Sequence, residues 1–190
     1  MDEVILASAS PRRSEILKLL GVDFTVVPAP DECEIDPSLP LADAVLQVAR
    51  RKAESVAAAY PDRIVIGADT VVSIGGKVLG KPRNEQDARG MLRLLSGRVH
   101  EVFTGVWVCR PLWNGGGKGF ADCAKVEFYS LDEAEIDEYI ATGEPMDKAG
   151  SYGIQGKGLA LVRSINGDFY TVMGLPGARL WRFLKTGQKN

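Results

Sequence analysis

Arg63-Ile-Val-Ile-Gly-Ala68-Asp69-Thr70-Val71-Val-Ser-Ile74-Gly75-Gly76-Lys77-Val-Leu79 is the stretch that decides the fold class. Its first half holds Ile64-Val65-Ile66, a continuous apolar run of the kind found in strands covered on both faces, and predicts a strand over 63–68 that ends on Asp69. Its second half predicts two short strands, 71–74 and 77–79, flanking the hairpin signal Gly75-Gly76. A purely parallel sheet has no place for a hairpin. Helical patterns alternate with both kinds of strand, so the expectation is an α/β protein with a mixed twisted sheet and flanking helices.

Upstream, Val4-Ile5-Leu6-Ala7 is a strand candidate, followed by the turn Ser8-Ala9-Ser10-Pro11 and a helical pattern through Leu20. Ser10 suits the N-cap, Pro11 the first helical position, Ile16, Leu17 and Leu20 the buried stripe, and Gly21 a left-handed C-cap. A strand over 24–27, an acidic loop from Asp31 to Asp36 and a long helix over 41–60 follow. Downstream, Asn84 caps a helix that ends at Ser96-Gly97, and strands are predicted over 99–109 and 120–129. The glycine-rich tip Asn114 to Gly119 joins them. Ser130-x-x-Glu133 reads as a capping box opening a helix that stops at Gly143. Strands over 159–165 and 169–173 flank a second hairpin signal, Asn166-Gly167, and Pro176 starts a last helix. No linker composition or internal repeat divides the chain, so residues 1–190 read as one domain.

The 190 residues, 45% apolar and 25% charged, describe an ordinary globular domain. Twenty-three basic against 25 acidic side chains leave a net charge of −2, which excludes capture of nucleic acid or an anionic membrane through bulk charge. The apolar runs are short, and Arg12, Arg13 and Glu15 interrupt the start, so neither a spanning helix nor a signal peptide is expected and the cytoplasm is the default. Cys33, Cys109 and Cys123 lack CxxC spacing and accompany a single histidine, His100, which argues against disulfide scaffolds and Cys/His zinc sites.

Local oddities mark the candidate chemistry. Arg12 and Arg13 fall in the first turn of the first helix, where the macrodipole makes cations unfavourable by about 0.3–1 kcal/mol each. Backbone amides there, the Ser8 and Ser10 hydroxyls and two guanidinium groups form a receptor for phosphate oxygens, the bland alternative being two solvated charges. Lys52 projects near the middle of the stripe made by Leu41, Val45, Val48, Ala49 and Val56, where it either snorkels outward or meets an anion. Asp69, at the expected carboxyl end of a strand, suits a base, a metal ligand or a turn residue. Glu32 and its acidic neighbours read either as a solvated loop or, through Glu32 together with Asp69, as the one or two carboxylates that magnesium needs when it binds through substrate phosphates. Gly75-x-x-x-x-Gly80-Lys81 fails as a P-loop because Pro82 replaces the metal-binding hydroxyl and a hairpin replaces the strand-to-helix turn, although Lys81 remains a phosphate candidate. The long aperiodic stretch 143–158 carries Glu144, Asp147, Lys148, Tyr152 and Gln155, the last with an amide suited either to a base edge or to the loop's own backbone. His100 reads as structural.

Several ordered motifs resemble the Maf family: Leu6-Ala-Ser8-Ala-Ser10-Pro11-Arg12-Arg13, Gly67-Ala-Asp69-Thr70, Leu79-Gly-Lys81-Pro82, Leu95-Ser-Gly-Arg98, Thr104-Gly-Val106, Glu144-Pro-Met-Asp147-Lys148-Ala-Gly150, Tyr152-Gly-Ile-Gln155-Gly156 and Gly174-Leu-Pro176. The resemblance implies a fold similar to inosine triphosphatases of the Ham1 type, with two lobes around a cleft, and hydrolysis of a nucleoside triphosphate to monophosphate and diphosphate with a divalent cation, Mg2+ or Mn2+. It implies Asp69 as proton acceptor, Glu32 and Asp69 as metal ligands, and Arg12, Arg13, Lys52 and Lys81 as triphosphate contacts, with Ser8 beside them. Arg12, Thr70 and Gln155 match positions associated with base preference. The Ala68-Asp69-Thr70 and Tyr152-Gly-Ile-Gln155 runs look like the subgroup acting on dTTP and UTP. A 7-methyl-GTP pyrophosphatase and a nucleotide-binding regulator of septum formation are the alternatives, and a homodimer is a family expectation.

Overall fold

The computed structural model describes residues 3–30, 34–113 and 116–186. Strand β1 (Val4–Leu6) leads through the serine turn into helix α1 (Pro11–Leu19). The α1 C-terminus closes as expected: Gly21, at φ +66°, donates to Lys18 O, and Val22 N donates to Leu17 O. These two bonds satisfy the last carbonyls of the helix in a Schellman motif. Ser10 holds the N-cap position in extended backbone, but its side chain makes no cap bond; its N–H instead donates to Ser8 Oγ over 3.3 Å.

Strand β2 (Phe24–Val26) pairs in parallel with β1, and α2 (Leu41–Ala57) stops three residues short of the expected end, its last carbonyls used in a turn that includes Tyr60 N to Ala57 O. Strand β3 (Ile64–Ile74) is one continuous element where the sequence suggested two. Its start pairs in parallel with β1, Val4–Leu6 against Ile64–Ile66, and its end pairs antiparallel with β4 (Lys77–Leu79) across the Gly75-Gly76 turn. Asp69 therefore does not follow a strand; it lies mid-strand, beyond the last residue paired with β1. Partners on successive stretches keep β3 extended through a polar pair that local pattern reads as an end.

Asn84 caps α3 (Glu85–Leu95) by accepting from Asp87 N. Strands β5 (Val99–Cys109) and β6 (Gly117–Phe128) follow, β6 starting three residues earlier than expected; Asn114 and Gly115 of the glycine-rich tip lie outside the described residues. Helix α4 (Glu133–Ala141) opens on a capping box two residues later than the sequence suggested. Asp132 Oδ1 accepts from Glu135 N and Glu135 Oε2 accepts from Asp132 N, while Leu131 N, one residue earlier, donates instead to Ser96 Oγ at the end of α3. Residues 156–161 form a 3-10 turn, so strand β7 (Val162–Asn166) begins later than expected. The second hairpin is absent: Phe169–Met173 is a short helix, α5, because Asp168 Oδ2 caps it through Thr171 N and Oγ1. Helix α6 (Gly177–Thr186) closes the described chain.

Among the described residues the sheet order is β2-β1-β3-β5-β6-β7, with β4 on β3. With parallel and antiparallel pairs in one sheet and helices flanking it, the mixed α/β expectation holds. The chain forms two compact units. Met1–Asp69, Thr104–Asp122 and Gly174–Asn190 make the first, where Ile5, Ala53, Val56, Val65 and Cys109 form a buried cluster. Thr70–Phe103 and Cys123–Met173 make the second, around Val72, Leu92, Leu95, Phe128, Ile136 and Tyr152. Among the described residues no helix is long and apolar enough to cross a membrane.

Candidate functional site

Two glycines in the first unit decide where its charged residues meet. A Cβ at Gly67 of β3 would run into the Ala49 carbonyl and lie 2.7 Å from Ala53 N, and one at Gly105 of β5 would lie 2.5 Å from Val45 O. Both strands thus press their backbones against α2 one helical turn apart. The buried face of α2 is Ala44, Val45, Val48, Ala49, Ala53 and Val56. Lys52, next to Ala53, reaches over this seam to Asp69, two residues beyond Gly67 on the same face of β3. Lys52 Nζ donates to Asp69 Oδ1 over 2.6 Å, and both side chains are mostly buried, 18% and 16% exposed. Of the two readings of Lys52, the structure selects the anion partner over snorkelling.

At the start of α1, Arg13 Nε donates to Gly174 O over 2.9 Å and its Nη1 to Ser8 Oγ over 2.8 Å. Burial lowers the Arg13 guanidinium from its ordinary value, the Asp69 carboxylate opposes that shift, and Arg12 adds to it. Arg12, Arg13 and Asp69 therefore share one electrostatic neighbourhood, to which Lys52 is tied through Asp69. Ser8 is buried and Arg12 half-buried. Glu32 lies outside the described residues.

The second unit carries Thr70, Lys81 and Gln155. Thr70 is half-buried, Lys81 is exposed beyond β4, and Gln155 is half-buried in the irregular stretch after α4. That stretch is tied to itself: Lys148 Nζ donates to Glu144 O over 2.5 Å and to Asp147 Oδ1 over 2.6 Å, and Lys157 N donates to Glu144 Oε1 over 3.1 Å. His100 is buried against Phe128 and Tyr152, in line with the structural expectation.

Gly67, Gly105 and the Gly174 carbonyl escaped the sequence reading as positioning elements. A lone glycine inside an apolar strand pattern is the signal that finds the first two. The Arg13–Gly174 bond spans 161 residues and has no local signature.

As for metal, a hard oxygen donor such as Asp69 suits Mg2+ or Mn2+. Among the described residues no three His, Cys, Asp or Glu side chains cluster as a cage. One or two carboxylates sharing the ion with phosphate oxygens is the arrangement this donor chemistry fits.

The fold is that of the Ham1 class: the Staphylococcus aureus Ham1 protein superposes with a TM-score of 0.53 over 98% of this chain and 100% of that one, at 14% sequence identity. The chain belongs to the Maf family, since the family description "Maf-like protein" matches residues 3–187. It is 49% identical over 185 residues, 97% of this chain and 90% of the other, to a Bacillus cereus protein named dTTP/UTP pyrophosphatase. A Bacillus mycoides protein of the same name is 48% identical over 97% of this chain and 95% of its own.

Proposed function

We propose that this protein hydrolyses dTTP and UTP to the nucleoside monophosphate and diphosphate, acting in the cytoplasm to control the nucleotide pool. The observation that carries the reading is the Lys52–Asp69 ion pair, 2.6 Å long, set beside Arg13 in a chain 49% identical to a dTTP/UTP pyrophosphatase.

Asp69 accepts the proton of the attacking water. Lys52 holds Asp69 Oδ1 and thereby turns the carboxylate so that Oδ2 is the accepting atom. The water oxygen bonds the α-phosphorus, the bond to the bridging oxygen breaks, and diphosphate leaves. Arg12, Lys52 and Lys81 neutralise the triphosphate, and a phosphate oxygen competes with Asp69 for the Lys52 ammonium. Arg13, fixed by Ser8 and Gly174, supplies a charge that does not reorganise when substrate arrives. Asp69 and Glu32, together with the triphosphate, would hold a divalent cation, which would supply further charge neutralisation. Arg12, Thr70 and Gln155 set the base preference.

Diphosphate release from dTTP with Mg2+, compared between the parent and Asp69→Asn, tests the reading. The parent turns over and the variant falls by orders of magnitude. Equal turnover removes Asp69 as base, and a parent inert on every triphosphate favours the regulator of septum formation. A purine preference across a substrate panel favours 7-methyl-GTP.

A further inference from the structure

Gln155 stands in irregular backbone, yet the residues on both sides of it are fastened by groups that the proposed chemistry leaves unused. On the N-terminal side, Tyr152 is bonded through its hydroxyl to His100 Nε2 at 2.8 Å, the tautomer deciding which of the two donates. Both side chains are buried, and they share a three-ring cluster with Phe128. The ring centroids are 5.0 Å apart for His100–Phe128, 4.7 Å for Phe128–Tyr152 and 5.3 Å for His100–Tyr152, each pair edge to face. The next residue is also fixed, since Gly153 N donates to Tyr139 Oη on α4 over 3.1 Å. On the C-terminal side, Gly156 takes φ +67°, and a Cβ there would lie 2.7 Å from Glu144 Oε1. Lys157 N donates to that same oxygen over 3.1 Å.

Packing alone does not choose these groups. His100 Nδ1 and Glu144 Oε2 are buried and have no partner among the described residues, which costs free energy that a phenylalanine or a leucine would not. What the two residues return is geometry: one fixes Tyr152 and the other fixes Lys157 beside the close-packed Gly156, and Gln155 lies between. An amide that reads a base edge discriminates only if it is held to within a few tenths of an ångström before the base arrives.

We propose that His100 and Glu144 are positioning residues for base recognition, holding Gln155 from both sides through Tyr152 and through the Gly156-Lys157 backbone. This rests on Gln155 setting the base preference. The mode of action is preorganisation: with either tie cut, the stretch samples other arrangements, and binding must supply the ordering. Loss falls on substrate binding and on selectivity, and spares the chemical step.

The test is steady-state kinetics of the full chain with dTTP and GTP for Tyr152→Phe, His100→Leu, His100→Gln, Glu144→Ala and Glu144→Gln, each alone and combined with Gln155→Ala. Tyr152→Phe, His100→Leu and Glu144→Ala each raise KM for dTTP about fivefold, the equivalent of one net hydrogen bond, with kcat within about twofold and the dTTP/GTP preference reduced. His100→Gln and Glu144→Gln keep an oxygen or nitrogen at the bonding position and recover most of the loss. In the Gln155→Ala background the same substitutions change KM less than about twofold, because the group they position is gone. Equal effects with and without Gln155 overturn the proposal and leave the two residues purely structural. If Gln155→Ala alone leaves the preference unchanged, the assignment of Gln155 is what falls. Should His100→Leu fail to fold, Tyr152→Phe, which deletes one oxygen, decides in its place.

Discussion

Lys52 Nζ donates to Asp69 Oδ1 over 2.6 Å, and the bond forms because Gly67, two residues before Asp69, has no Cβ to hold α2 off the sheet. The ion pair and the glycine are one device. A strand backbone in direct contact with Ala49 and Ala53 of α2 places the Lys52 Cα within a side chain's reach of β3.

Gly67→Ala breaks that contact at backbone atoms, which have no rotamer to escape into. Overpacking of this kind costs about 2–3 kcal/mol. For a chain of 190 residues that lowers Tm by about 4–12 °C in a thermal melt. Gly90→Ala in α3 is the opposite case. Nothing lies within 4 Å of its Cβ position, the helix gains, and stability rises by about 0.5–1 kcal/mol.

Lys52→Met removes the ammonium bonded to Asp69, the group proposed to orient that carboxylate and to contact phosphate, and leaves a mostly buried carboxylate without its cation. The rate of diphosphate release from dTTP falls by about 10²–10³, the size of effect seen when one preorganised donor is deleted. Lys52→Arg retains charge but not the point ammonium, and a planar fork does not fit the same single-oxygen bond, so it recovers only a small part of the rate. Initial rates at saturating dTTP distinguish the three forms.

Arg13 acts as a strut as well as a charge. Its Nε and Nη1 bond Gly174 O and Ser8 Oγ at once, which a lysine ammonium cannot reproduce in the same geometry. Arg13→Lys destabilises by about 1–3 kcal/mol in chemical denaturation, and Ser8→Ala by about 1 kcal/mol. The double variant loses less than the sum, because both substitutions break the Ser8–Arg13 bond.

Features set by local chemistry were legible in advance. The Gly75-Gly76 hairpin, the Asn84 cap and the Gly21 closure of α1 each depend on residues within a few positions of one another. The misreadings arise where distant partners or a competing cap intervene. Asp69 looked like a strand end because only β1 and β4, paired at opposite ends of β3, reveal that the strand continues through it. Asn166-Gly167 looked like a hairpin until Asp168 captured Thr171 N and wound Phe169–Met173 into a helix. At the site, Lys52 was conspicuous as a charge on an apolar helix stripe and Asp69 as a carboxylate at an expected strand end, so they could be proposed singly. Their pairing, the Arg13–Gly174 bond and the His100–Tyr152 bond join residues 17, 161 and 52 positions apart, and no periodicity encodes such pairs.

His100 gives the protein an acid sensitivity that begins well above the range in which carboxylates titrate. Burial lowers the imidazole from 6.5 to about 4. Between those two values the unfolded chain takes up a proton that the native state refuses, so stability falls as pH falls through that window. The loss is about 1.4 kcal/mol per pH unit, reaching about 3 kcal/mol near pH 4, with no contribution from this group above pH 7 and no further loss below its folded value. Asp36, Asp87 and Glu133 are held below their ordinary values by hydrogen bonds from Ser38, Arg83 and Arg93, so what they contribute is lost only at lower pH. Denaturation midpoints measured from pH 7 to pH 4.5 decline in the parent and stay nearly level in His100→Gln, which titrates nothing there. Equal declines in both proteins would assign the sensitivity to a group other than His100.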